Sequence, residues 1–473
     1  MACTTILVGK KASYDGSTMI ARNDDASAGK FAAKKFAVVE SKDQPRDYKS
    51  VISGVEIKLP DNPMRYTAMP NALKGEGIWA ACGVNEANVG MSATETITSN
   101  ALVLGADPLV EKGIGEEDIV VLTLPYIHSA REGVERLGSL LEQYGTYEMN
   151  GIGFSDKNEI WWLETIGGHH WIAKRVPDDE YVIMPNQQGI SEFDLEDALT
   201  SQKEYMCSKD MQTFIEKNHL NLNMGDRFNA RLVFGSHDDS DHTYNTPRSW
   251  ALLRYFNPRT YDWDNELRPE DDDLPWSLVP ERKITVEDVK WALSNHYQGT
   301  PYDPYGKGGN KECKYRPIGI NRTDFLGLIQ IRDYVPEEIS AIEWMTFGSN
   351  VFNTFLPLYA NISKAPDYVA NTTALVDTNN FYWANRLIGA LADAHFNTTE
   401  IHIERYQNKV AASSHALINK YDDLFVEKKD LAVIEEANEA LTNMVHKETD
   451  DCLNKVLYTS SNGMKNAFSR SDA

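Results

Sequence analysis

An α+β fold follows from three features of the sequence. The first is a hairpin at the start of the chain. Thr4, Thr5, Ile6, Leu7 and Val8 form a β-branched, apolar run, Tyr14-Asp15-Gly16-Ser17 supplies turn chemistry, and residues 18–23 return as a second strand. The second is the run Glu159-Ile-Trp-Trp-Leu-Glu-Thr, a Gly167-Gly168 turn, His170-Trp-Ile-Ala-Lys-Arg, a Pro177-Asp-Asp turn and Tyr181-Val-Ile-Met-Pro-Asn186. It predicts a three-stranded meander. The third is the tail from residue 379, where Pro and Gly nearly vanish and Leu431, Ile434, Ala437, Leu441 and Met444 recur at helical spacing. It predicts two to four helices.

Composition narrows the function classes. The 473 residues are 42% hydrophobic and 25% charged, the balance of a globular chain large enough for a sizeable core. A formal net charge of −23 argues against nucleic acid and anionic membranes as partners, since both ask for basic patches. No window approaches eighteen apolar residues, so no membrane-spanning helix is expected. The start, Met-Ala-Cys, lacks the basic and apolar regions of a secretory signal. Five cysteines (3, 82, 207, 313, 452) are widely spaced and form no CxxC pair, which predicts reduced thiols and a cytoplasmic setting. The acidic runs at 116–118 and 270–273 are expected to be solvated surface.

Between these landmarks the elements follow in order. Residues 30–71 carry Pro45, Pro60, Pro63 and Pro70 and read as short strands and loops. Residues 77–83 and 89–95 read as strands around an Asn85-Glu86 turn, with Trp79 and Cys82 in the core. Residues 118–145 are helical, with Val134, Leu137, Leu140 and Leu141 on one face, small Gly and Ala positions suited to packing on a sheet, and Gly145 as the cap. Residues 200–300 are helical and irregular, with a helix starting near Pro247 and another over Val286, Val289 and Leu293. Residues 325–334 and 339–347 read as strands of a second sheet, and 355–359 as an aromatic loop near a pocket.

The chemistry concentrates at the head of the chain. If residues 1–2 are removed, Cys3 carries a thiol with a reference pKa of about 8.5 beside an α-amine of about 7.7–8.0, so proton transfer between them is nearly balanced. One residue then serves as nucleophile and base. Arg22, returning on the second strand, would lower the thiol pKa, and Asp25 could hold the amine by a charge-assisted hydrogen bond. The other reading is a buried strand thiol beside a structural Arg22–Asp25 ion pair. The polar run 236–242 holds His237, Asp238, Asp239, Asp241 and His242, but its spacing fits neither an HExxH helix nor an EF-hand loop. No metal and no cofactor are expected. His169 and His170 are expected to be packed and hydrogen-bonded.

Four motifs, in this order, carry a resemblance. They are Cys-Thr-Thr followed by Arg22-Asn-Asp-Asp25; Gly-Val-Asn-Glu-Ala-Asn-Val-Gly-Met-Ser-Ala-Thr-Glu-Thr (83–96); His-Tyr-Gln-Gly-Thr-Pro-Tyr-Asp (296–303); and Phe-Tyr-Trp-Ala-Asn-Arg-Leu (381–387). The chain resembles the N-terminal-nucleophile cysteine dipeptidases of the PepD type, relatives of secernins, bile-salt hydrolases and penicillin V acylases. The resemblance implies a four-layer αββα sandwich over residues 1–378, with residues 1–2 removed, and a helical region 379–473 packed on it. It implies hydrolysis of dipeptides of broad side-chain tolerance through a Cys3 thioester, with dipeptides as the partners and homo-oligomer formation left open. Asn186 takes the place of the relatives' oxyanion-hole asparagine, and Arg248 that of their second active-site arginine. Glu95 stands where the acylases carry an oxyanion-hole asparagine; an ionised carboxylate cannot donate, so that role is not transferred. The rivals are an acyl-amide hydrolase with the same machinery and a non-catalytic interaction protein of the secernin kind.

Overall fold

The computed structural model describes residues 3–75, 77–225, 227–306 and 314–464, with the side chains of Thr94 and Glu95 outside that description. Within it the chain builds a mixed α/β fold around two antiparallel sheets. The larger runs, in spatial order, Ser277–Leu278, Tyr181–Met184, Thr4–Val8, Thr18–Asp25, Thr323–Ile331, Ala341–Phe347 and Leu356–Tyr359. The smaller runs Tyr205–Cys207, His170–Val176, Ile160–Ile166, Asn150–Ser155, Gly90–Thr96 and Cys82–Val84.

Glycines let the sheets approach each other. A Cβ on Gly153 would sit 3.2 Å from the Leu7 side chain, and one on Gly90 would clash with Ile329. Strand Ile160–Ile166 is buried on both faces: Trp162 shares a core with Leu7, whereas Trp161 and Leu163 join the core that includes Val134 and Leu137. Those two belong to Ala130–Tyr144, which ends at Gly145 with φ 69°; the helical region expected over 118–145 is divided between it and Glu116–Thr123. On the larger sheet, helix Val286–Leu293 packs against Thr4–Val8 and Thr18–Asp25. Three helices form the tail, Phe381–Asp393, Phe396–Lys428 and Ala432–Asn462, and their apolar faces share one core with Ile6 and Leu328. No described helix is long and apolar enough to cross a membrane.

Four expectations need correction. Tyr181–Met184 is a strand, yet it leaves the meander and pairs with Thr4–Val8, Met184 opposite Thr5. The turn that redirects it is fixed at Asp178, whose carbonyl accepts from Lys11 N and Ala12 N and whose carboxylate pairs with Arg175 at 2.6 Å. Tyr205–Cys207 takes the vacated edge beside His170–Val176. The acidic run 116–118 is buried, not solvated. It opens helix Glu116–Thr123, whose free N–H groups and positive dipole end favour carboxylates. Asp118 accepts from Gly115 N at 2.9 Å and Tyr48 Oη at 2.6 Å, and Glu117 from Ser50 Oγ at 3.0 Å. Trp79 is only half-buried, on a loop where Trp79 and Ala81 take φ of 47° and 66°. Leu356–Tyr359 is an edge strand, not a loop; Pro357 is tolerated because an edge strand needs ladder donors on one side only.

Candidate active site

The register of the first hairpin assembles the site. Thr4 lies opposite Asn23, which puts Cys3 beside Asp24, and strand alternation puts Arg22 on the same face as Asp24. Cys3 is 1% exposed. Its Sγ receives Arg22 Nη2 at 3.4 Å and lies 3.9 Å from Asp24 Oδ1. The same Nη2 donates to Asp24 Oδ1 at 3.0 Å and to Glu116 Oε1. Asp24 also pairs with Lys34 at 3.0 Å. Arg22 Nη1 reaches the Ala81 carbonyl at 3.4 Å, so the left-handed backbone at Trp79 and Ala81 brings an acceptor to the guanidinium.

The charges are closely interlocked. Burial opposes ionisation of Asp24, but Lys34 and Arg22 outweigh it and hold the carboxyl below its usual range. Burial pushes Asp118 up to about 6; burial and the neighbouring Glu116 push Glu148, which accepts from Glu116 N at 2.7 Å, up to about 7. The other described thiols differ from Cys3 in setting. Burial drives Cys82 well up and Cys207 and Cys452 to about 12, the state of inert structural cysteines. Cys313 lies outside the described residues.

Asn186 and Arg248 close the site from the other side. Met184 pairs with Thr5, so the chain emerging from that strand carries Asn186 past the head of Thr4–Val8. Arg248 stands in the first turn of helix Thr246–Phe256 and is fully buried. It donates to the Cys3 carbonyl, to Thr4 Oγ1 at 2.8 Å, and to the Oδ1 atoms of Asn186 and Asn245 at 2.6 Å each. The guanidinium thereby fixes which end of the Asn186 amide accepts and leaves Nδ2 as the donor.

The structure thus brings Cys3, Arg22, Asn186 and Arg248 together. Asp25 lies one residue out of phase with Arg22 and Asp24. Its carboxylate takes Arg316 and, at 2.6 Å, Thr323 Oγ1, beside a bulge between Thr323 and Phe325. The Glu95 side chain falls outside the described residues. Elsewhere, His237 bonds the Arg231 carbonyl and His242 pairs with Asp272 at 3.1 Å. Among the described residues no three His, Cys, Asp or Glu side chains converge to hold a metal ion. His169 and His170 share Asp107, at 2.8 and 2.7 Å; His170 is packed on Phe214 as expected, whereas the bonded His169 side chain stays partly exposed.

The family model described as Peptidase family C69 matches residues 2–409. The chain belongs to peptidase family C69. It is 51% identical to a protein named dipeptidase from Bifidobacterium longum, over 100% of both chains. It is 54% identical to a probable dipeptidase A of Streptococcus pyogenes serotype M3, again over 100% of both, and 44% identical to dipeptidase A of Lactobacillus helveticus over 96% of each. By family class this C69 member is a peptide hydrolase of the cysteine type. Sequence reasoning did not reach Lys34 and Glu116 beside Cys3, and of the carboxylates that return with Arg22 it singled out Asp25 and not Asp24. Asp24 was within reach, because alternation from Arg22 names it; Glu116 was not, because an acidic helix start reads the same whether it is buried or solvated.

Proposed function

We propose that this chain hydrolyses dipeptides with Cys3 as nucleophile. The observation that carries the reading is the Cys3 thiol at the head of a strand with Arg22 upon it, in a chain aligned end to end with proteins named dipeptidase. The helices and the two facing sheets support the four-layer αββα sandwich of N-terminal-nucleophile hydrolases. The free thiols of the described cysteines, Cys3, Cys82, Cys207 and Cys452, fit a cytoplasmic setting.

The chemistry proceeds in two displacements. Residues 1–2 are first hydrolysed away, which frees the Cys3 α-amine. The Cys3 thiolate, stabilised by Arg22, attacks the peptide carbonyl carbon; its proton resides on the α-amine. Asn186 Nδ2 donates to the oxyanion. The C–N bond breaks, the α-ammonium returns the proton to the leaving amine, and an acyl thioester remains. Water, deprotonated by the α-amine, hydrolyses the thioester and restores the thiol. Arg248 takes no part in proton transfer; it positions Asn186 and the Cys3 carbonyl.

Intact mass of purified protein, read beside a dipeptide panel, tests this. Loss of Met1 and Ala2, together with activity that Cys3→Ser abolishes, is the expected result. Dipeptide cleavage by protein that retains Ala2 would overturn the mechanism. Preference for N-acetylated substrates would transfer the chain to the acyl-amide rival, and inactivity of the processed form would favour the non-catalytic one.

A further inference from the structure

A cavity of about 590 Å³ lies on the far side of the larger sheet from Cys3. It sits between helix Val286–Leu293, the loop that follows, strand Ala341–Phe347 and the long helix Phe396–Lys428. Asn23 points to this side, donating to the Leu293 carbonyl at 2.9 Å, whereas its neighbours Arg22 and Asp24 face Cys3. The catalytic machinery does not use this space.

Its walls combine aromatic surface with one under-compensated cation. Trp291, Trp344, Phe352 and Phe396 contribute rings. Three carboxylates of the lining have partners: Glu287 pairs with His415, Asp288 with Arg282 and Asp303 with His296. Lys290 has no such partner among the described residues. Its Nζ donates only to neutral oxygens, Asn350 O at 2.7 Å and Ser294 Oγ at 3.0 Å. Two neutral acceptors leave one N–H and the full charge uncompensated, and burial pushes the ammonium down to about 7. Ser414 Oγ, fully buried in the same lining, has no hydrogen-bond partner. A half-buried lysine with no carboxylate partner among the described residues and an orphaned hydroxyl, set among aromatic rings, are the features of a pocket shaped for an amphiphilic anion.

We propose that this cavity binds a small carboxylate with an aromatic body, its carboxylate on Lys290 and its ring among Trp291, Trp344, Phe352 and Phe396. The ligand is a free aromatic amino acid or a plain aryl carboxylate. Glu400 and Glu404 also line the cavity and offer charge for an amino acid's ammonium. The site does not depend on the dipeptidase reading.

Calorimetric titration of the full-length protein with 3-phenylpropionate and with L-phenylalanine tests it, with tryptophan fluorescence as a second readout. Saturable binding of at least one probe at one site per chain is expected, weakened tenfold or more by Lys290→Met and unaffected by Cys3→Ser. Tighter binding of L-phenylalanine would identify the amino acid as the ligand class, and tighter 3-phenylpropionate the plain carboxylate. Ala411→Phe, which adds bulk at another position of the lining and leaves Lys290 in place, should abolish binding, so the test survives a misfolded Lys290 variant. No saturation by either probe at millimolar concentration, or binding that both variants leave intact, would overturn the proposal.

Discussion

Arg22 is the residue on which the site turns, because one terminal nitrogen meets a thiol and two carboxylates at once. Paired only with Asp24, it could swing; Glu116 pins the guanidinium from a separate helix. Glu116→Gln keeps the volume and removes the charge. A drop of about tenfold or more in kcat is expected, since a hydrogen bond to a charged group contributes roughly 1.5–3 kcal/mol. The pH profile should move with it, because the variant alters the charge beside Cys3; a rate within twofold of wild type would separate Glu116 from the chemistry. For Asn186→Ala, loss of an oxyanion donor worth about 2.7–4 kcal/mol should lower kcat by two to three orders of magnitude. An unchanged kcat in steady-state assays would remove Asn186 from the site. At this scale the sequence was most informative where strand alternation applied, as at Cys3 and Arg22. It was least informative where the partner came from a distant element, as with Lys34, Glu116 and Asn245.

Elements were readable wherever periodicity set one face against another. The helical region expected over 118–145 predicts small residues laid on a sheet, and within it Gly133 and Gly138 of Ala130–Tyr144 meet Phe154 and Trp171. A Cβ on Gly138 would come within 2.4 Å of the Trp171 ring. Gly138→Ala should therefore cost about 1–3 kcal/mol through overpacking, measured by denaturant unfolding, despite the better helix propensity of alanine. Periodicity names faces and not neighbours, and this is why Tyr181–Met184 was legible as a strand while its partner was not. The buried acidic helix start and the edge strand holding Pro357 failed for a related reason, since each depends on what covers it.

Across the whole molecule a large negative charge coexists with carboxyl groups deep in the fold, and pH should expose the tension. Burial pushes Glu343, on strand Ala341–Phe347, from an ordinary value of 4.5 up to about 8. Between those values the unfolded chain releases a proton that the folded one keeps, so stability falls as pH rises through that window. Glu343→Gln removes this loss. Its stability relative to wild type should rise from pH 5 to pH 8, by on the order of a kcal/mol or more; an equal difference at both pH values would refute the assignment. The strand that deserts the meander has a further effect, on timing during synthesis. Cys3 lies at the head of a strand flanked by residues 18–25 and 181–184, and Arg248 ties down its carbonyl. Synthesis must therefore reach Arg248 before Cys3 has its framework. Until then the nascent chain carries the Cys3 thiol without Asn186 and Arg248 beside it.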